Sequence, residues 1–165
     1  MSLTVQQIIE SKSDQELFGL LSSELDKRIG GLATSDDLAI AMGQLPVGLR
    51  AMAAIHRLDV SMAINDLGWH FHNFPHRELC DETARGLREL EALEVAEIFA
   101  AARSLIEPYW EKLETFKDWY KSSGVEAAMS PLNERLWKIC EQSPDNGLMQ
   151  FWLSYARKFP ERVAG

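Results

Sequence analysis

Apolar residues recur at spacings of three and four along almost the whole chain, and no stretch alternates apolar and polar residues between turn signals. Spacings of three and four are typical of amphipathic helices, whereas alternation is typical of strands. The length suits one domain, and 46% of the residues are apolar and can build its core. The pattern therefore predicts an all-α fold, a single compact domain over residues 1–165 with about seven to nine helices.

Signals at helix ends divide the first part of the chain. Thr4 can cap a short first helix, and Ser13 followed by Glu16 is a capping-box pattern that opens a second helix. That second helix is expected to stop at Gly30 and Gly31, because glycine commonly follows the last helical turn. Both of its ends are thus marked in the sequence.

Proline and glycine mark the rest of the chain. After a polar turn at residues 34–37, Pro46 in a first-turn position predicts a long helix, whose small residues indicate a packed central position. Gly68, Asn73 and Pro75 then predict an irregular, aromatic-rich interruption. The remaining signals predict further helices at residues 78–90 and 93–106, over residues 109–121 after Pro108, from the Ser130 cap and Pro131 onward, and from Gly147 to Pro160.

The predicted helix after Pro108 has an apolar and an acidic face. Its apolar residues follow a four-three-four spacing and should face inward: Tyr109, Leu113, Phe116 and Tyr120. Acidic residues follow the same spacing on the opposite side: Glu107, Glu111, Glu114 and Asp118. We expect these four carboxylates to be exposed, and they are the candidate partner-binding residues. At about 5.5 Å between neighbouring acids, against about 3.4 Å per phosphate of a DNA strand, this helix alone does not imitate a duplex.

The charge of the chain limits its partners. Twenty-five acidic and 17 basic residues give a net charge of −8, which disfavours direct binding to nucleic acid or to anionic membranes. Acid is concentrated in residues 78–114, where ten acidic residues stand against four basic ones. A basic protein partner fits this charge, and so does a solvated face that serves only solubility.

Motifs of known catalytic chemistry do not occur in the chain. There is no glycine-flanked serine elbow, phosphate loop, dinucleotide glycine pattern or His-Glu-x-x-His pair. The five tryptophans stand beside leucines at helical spacing, which favours core positions over a stacking platform. We therefore expect a non-enzymatic protein without a cofactor.

The histidines are the one cluster that suggests metal chemistry. His70, His72 and His76 lie within seven residues, and Cys80 follows four residues later, a mixture that could ligate zinc. On an uninterrupted helix His72, His76 and Cys80 would share one face, but Pro75 lies between them and would break the helix. The alternative is that these imidazoles cap or satisfy backbone groups in an irregular turn.

Secretion and membrane insertion have no support in the sequence. Only two cysteines occur, and the N-terminus lacks the basic, apolar and small-residue succession of a secretion signal. Charged residues interrupt every apolar stretch well before the roughly 18 residues that a spanning helix needs. The expected location is the cytoplasm.

A specific motif runs from about residue 59 to residue 109. Asp59 is followed by Asn65-Asp66-Leu67-Gly68-Trp69-His70-Phe71, then by Thr83-Ala84-Arg85-Gly86-Leu87 and Ala96-Glu97-Ile98-Phe99. This pattern resembles the bacterial DNA-mimic-protein-like family, a domain of unknown function. The matching positions are Asp59, Asn65, Gly68 and Trp69, while Leu67 replaces the first glycine of the family's turn.

The resemblance implies an all-helical, often dimeric protein. The best-known family member presents acidic side chains as a phosphate mimic to a DNA-binding protein, although the motif itself does not encode mimicry. The leading hypothesis is therefore an acidic protein that binds a basic partner, as a DNA mimic that regulates a DNA-binding protein. Two alternatives stay open: an immunity or toxin-neutralising protein, and a small metal-binding protein or enzyme centred on the cluster His70, His72, His76 and Cys80.

Overall fold

The computed structural model describes residues 2–30, 35–143 and 145–165. Within these ranges the chain forms nine α-helices of six residues or more and no strand, which confirms the predicted all-α fold of seven to nine helices. In chain order, and counting also the four-residue α8, the helices are α1 (Val5–Glu10), α2 (Asp14–Ile29), α3 (Ser35–Gly43), α4 (Val47–Ile64), α5 (Leu67–Asn73), α6 (Arg77–Glu89), α7 (Leu93–Ile106), α8 (Phe116–Trp119), α9 (Val125–Glu141) and α10 (Gln150–Lys158). Two 3₁₀ segments lie between helices, Glu107–Thr115 and Gly147–Met149, and a third, Pro160–Arg162, follows α10.

The predicted caps of the first two helices are present. The Thr4 hydroxyl accepts a hydrogen bond from the Gln7 amide, and the Gln7 side chain accepts one from the Thr4 amide. Ser13 likewise accepts from the amide of Glu16, and α2 ends before Gly30. These bonds satisfy amides that have no partner within the helix. Gly31 and the start of the turn predicted at residues 34–37 lie outside the described residues.

Helix α4 is the central element, as its small residues predict. It contacts α2, α3, α5, α6 and α10, and its most extensive contact is with α6. Small side chains such as Ala51 and Ala54 are buried there and let the two helices approach closely. The Thr83 hydroxyl of α6 donates to the Ala54 carbonyl at 3.1 Å, so the contact includes a buried polar link.

Residues 67–73 form helix α5, and the irregular interruption predicted around Gly68 and Asn73 is wrong. The helix begins because the Asp66 carboxylate accepts a hydrogen bond from the Trp69 amide at 3.0 Å, a regular N-cap. The Asn133 side chain of α9 accepts from the Leu67 amide at 2.9 Å and fixes the same end. The breaks in the chain therefore fall on either side of this helix.

The predicted helix start at Pro131 is also wrong, because α9 begins six residues earlier, at Val125. Gly124 precedes it in a left-handed conformation, with φ of 84°, and turns the chain into the helix. Pro131 thus lies inside α9, on its exposed side. A proline at this position removes one backbone N–H that would donate a hydrogen bond within the helix, and α9 continues to Glu141 without it.

Buried side chains from Leu3 to Val163 form one continuous apolar core.

The predicted last helix starts as a 3₁₀ turn at Gly147 before α10 begins, and α10 ends at Lys158, shortly before Pro160. None of the helices in the described ranges combines the length and apolar character that a membrane crossing needs.

Candidate functional site

The segment that contains the four candidate acids is not the regular α-helix predicted over residues 109–121. Residues Glu107–Thr115 form a 3₁₀ helix, which continues into the short helix α8. Trp110, Leu113 and Phe116 are all buried at a spacing of three, which is the period of a 3₁₀ helix. Trp110 was the sequence signal for this geometry, since it does not fit the predicted four-three-four stripe.

The predicted division into an inner and an outer face is nevertheless correct. Leu113, Phe116 and Tyr120 are buried and Tyr109 is half-buried, whereas all four candidate acids are exposed: Glu107, Glu111, Glu114 and Asp118. In a 3₁₀ helix residues three apart lie above one another, so Glu111 and Glu114 share a side. The acids therefore point to solvent, but not as one straight α-helical column.

Arg77 at the start of α6 neutralises part of the negative charge of the four candidate acids. Its guanidinium pairs with the Glu107 carboxylate and lies 3.7 Å from that of Glu111. The guanidinium also lies 4.6 Å from the centre of the Trp110 ring, which fixes it over this segment. The pair with Glu107 raises the pKa of Arg77, so the side chain stays charged. This pair could not be predicted from local patterns, because 30 residues separate its members.

Glu114 and Asp118 differ from the other two acids. Neither makes an ion pair within the part of the chain that the structure describes. The ammonium group of Lys117, which lies between them in the sequence, is 5.6 Å from the centre of the Trp69 ring of α5. Glu114 and Asp118 are thus the exposed carboxylates of the candidate set that remain available to a cationic partner.

The wider acidic segment is less negative in space than along the sequence. Bases from outside residues 78–114 pair with its acids: Arg50 with Glu82, Arg135 with Glu94, Lys158 with Glu91, and Arg162 with Glu89. The exposed pairs of Glu94 and Glu91 stabilise the fold little, but all four pairs cancel charge locally. The excess acid of this segment therefore does not form one continuous field.

The histidine cluster is divided between separate environments. His70 is buried, its Nδ1 lies 2.9 Å from the Ser61 hydroxyl, and its ring packs among Phe71, Phe74 and Phe99. Burial, reinforced by the positive charge of Arg57, lowers the pKa of His70 to about 4. A neutral, enclosed imidazole of this kind is part of the core.

The other members of the cluster also have separate roles. Nδ1 of His72 lies 2.8 Å from the Leu113 carbonyl, and its ring stacks on Phe116. Cys80 is buried, and burial raises its pKa to about 12. His76 is the N-cap residue of α6. Among the described residues no group of three or more His, Cys, Asp or Glu side chains could ligate a metal ion.

The motif residues Asp59, Gly68 and Trp69 fix contacts between elements. The Asp59 carboxylate accepts a hydrogen bond from the Leu148 amide at 2.6 Å and ties α4 to the segment before α10. Only a glycine fits at position 68, because a Cβ there would overlap the Tyr120 ring. Trp69 packs edge to face against Phe116 of α8. The motif therefore packs residues 107–120, the candidate segment, against α5. It does not supply the candidate acids.

Comparison with known proteins identifies the family. A family model described as DMP19-like protein matches residues 43–158, which include the motif and all four candidate acids. Comparison with curated proteins and with solved structures gave no match. The family match covers well over half of the chain and confirms the resemblance to DNA-mimic-like proteins. The chain belongs to the family of DMP19-like proteins.

Proposed function

We propose that this chain is a non-enzymatic acidic protein that binds a basic DNA-binding protein and competes with DNA for it. The observation that carries the proposal is the pair Glu114 and Asp118, which are exposed and make no ion pair among the described residues of a chain that belongs to the DMP19-like family. Carboxylates of this kind can take the place of phosphates opposite lysine and arginine.

Geometry and charge support a protein partner over a nucleic acid. The net charge of −8 repels a polyanion at long range, whereas it accelerates encounter with a basic surface. The 3₁₀ segment holds Glu111 and Glu114 on one side, and Asp118 follows on α8. Arg77 pairs with both Glu107 and Glu111 and neutralises part of their charge. Glu114 and Asp118 are therefore expected to contribute most of the binding energy.

Capture of a partner from the cytoplasm of the source cell tests the proposal. Immobilised protein is exposed to extract at about 0.1 M and about 1 M salt, where the screening length falls from about 10 Å to about 3 Å. We expect a DNA-binding protein to be retained at low salt, released at high salt and displaced by added duplex DNA.

Two charge-reversal variants of equal charge change make the test specific. Glu114→Lys with Asp118→Lys should abolish capture, because it reverses the proposed surface. Glu10→Lys with Glu161→Lys should leave it intact, because these exposed residues lie outside the family match. Equal loss in both variants, or capture that resists salt and DNA, would rule out the proposed surface.

A further inference from the structure

A groove lies between the end of α4 and the connection from α9 to α10. Its volume is about 470 Å³, enough for a large side chain. The walls combine an aromatic ring, two thioethers and three carboxylates: Trp137, Met62, Met149, Asp59, Glu141 and Asp145. Among the described residues no basic side chain lines the groove. This composition differs from an ordinary apolar cleft, in which polar groups are few and balanced.

The Trp137 ring forms a fixed wall of the groove. Its Nε1–H donates to the Met62 carbonyl at 3.2 Å, which ties the ring to α4. The side chain is 38% exposed, so the prediction that the tryptophans belong to the core is wrong at this position. An indole face held in this way is the best aromatic surface for a cation.

Asp59 supplies a buried carboxylate at the bottom of the groove. The residue is only 8% exposed, and Oδ1 accepts from the Leu148 amide. Oδ2 has no hydrogen-bond partner among the described residues. Gly147 makes this approach possible, since its φ is 53° and a Cβ there would lie 2.6 Å from Oδ1. One carboxylate oxygen therefore serves the fold, and the other is available to a ligand.

The surroundings of Asp59 favour a cation. Burial raises the pKa of Asp59, and the Leu148 amide and the positive charge of His56 offset this only in part. Burial, together with the negative charge of Asp59, raises the pKa of the neighbouring Cys140 to about 11. Glu141 and Asp145 at the rim are exposed and make no ion pair in the described residues. None of the three carboxylates makes an ion pair among the described residues, so a ligand cation would supply a close counter-charge.

We propose that the groove binds an arginine side chain of the basic partner, with its guanidinium over Trp137 and hydrogen-bonded to Oδ2 of Asp59. This inference rests on the proposed function, because it assigns one contact of that partner. Arginine fits better than lysine, since its planar guanidinium can stack on an indole and donate to a carboxylate at the same time. Its methylene stem would lie along Met62 and Met149.

The test uses the full chain and a single capped amino acid. Indole N–H resonances of ¹⁵N-labelled protein are followed while N-acetyl-arginine methylamide is added, and Trp137→Phe assigns the Trp137 resonance. We expect a saturable shift of that resonance with capped arginine, and no saturable shift with capped citrulline, which has the same shape without the charge.

Two variants separate a ligand site from a purely structural Asp59. Asp59→Asn keeps an acceptor for the Leu148 amide but removes the charge, and should weaken binding at least about fivefold. Glu141→Gln with Asp145→Asn changes only exposed rim residues, cannot act through the core, and should weaken it about twofold or more. Glu10→Gln, which does not line the groove, should leave the affinity unchanged.

Several results would overturn the arginine site. They are the absence of a saturable shift, an equal response to capped citrulline or capped lysine, and unchanged affinity in the folded Asp59 and rim variants. Because the probe is one residue, such a failure removes this groove and leaves the partner proposal standing. Failure of the partner proposal itself is measured by the capture experiment with Glu114→Lys and Asp118→Lys.

Discussion

At the scale of single residues, Gly68 and Tyr120 form one tight contact between α5 and the end of the candidate segment. The Tyr120 hydroxyl is buried without a hydrogen-bond partner among the described residues, and burial raises its pKa. A side chain at position 68 would overlap the Tyr120 ring and hydroxyl. The glycine of the family motif is therefore explained by close packing.

Gly68→Ala should destabilise the fold by about 1–3 kcal/mol, because the added methyl overpacks this contact. Gly19→Ala is the matched control: no atom lies within 4 Å of a Cβ at that position of α2, so it should stabilise by about 0.5–1 kcal/mol. Urea unfolding of both variants measures the difference. A Gly68→Ala variant as stable as the parent would contradict the packing argument.

His70 makes stability depend on pH. Its pKa is about 4 in the folded chain, whereas an unfolded histidine titrates near 6.5. Below pH 6.5 the unfolded state binds a proton that the folded state does not, so the free energy of unfolding falls as the pH drops from about 6.5 towards 4.

His70→Gln should remove this part of the pH dependence, because glutamine can still bond with Ser61 but does not titrate. Between pH 7 and pH 5 the parent should lose about 2 kcal/mol more than the variant. Urea unfolding at the two pH values measures both proteins. Parallel pH profiles would show that folding does not lower the pKa of His70.

At the scale of elements, Pro131 tests where α9 begins. The described helix starts at Val125, so Pro131→Ala should restore one ladder bond, remove a steric conflict and raise stability by about 1–3 kcal/mol. If the helix started at Pro131, as the sequence predicted, the proline would suit its first turn and the substitution would be neutral or destabilising. Thermal and urea unfolding distinguish the two outcomes.

The elements also show which sequence signals predict structure. Thr4 and Ser13 were predicted correctly, because a cap depends on residues three positions apart. Pro131 and Gly68 misled, since Pro131 was interpreted as a helix start and Gly68 as a helix breaker, although both lie inside helices of the structure. Capping residues therefore predict the hydrogen bonds at a helix end, whereas tertiary packing overrides the low helix propensity of proline and glycine.

At the scale of the whole molecule, charge could be counted from the sequence but not placed. The composition gives −8, yet the ion pairs of Arg77 with Glu107 and of Arg162 with Glu89 join residues far apart in the chain. The exposure of all four candidate acids was predictable from periodicity. Which of them stay uncompensated was not, because that depends on where Arg77 and Lys117 lie.

Competition with DNA tests whether Glu114 and Asp118 take the place of a duplex on the partner. A fluorescent duplex bound to the captured partner is titrated with the parent chain, with Glu114→Lys and Asp118→Lys, and with Glu10→Lys and Glu161→Lys, at several salt concentrations. We expect the parent and the Glu10 and Glu161 variant to displace the duplex, less effectively as salt rises, and the Glu114 and Asp118 variant to leave it bound. Displacement that is the same for all three proteins, or no displacement by the parent, would contradict this expectation.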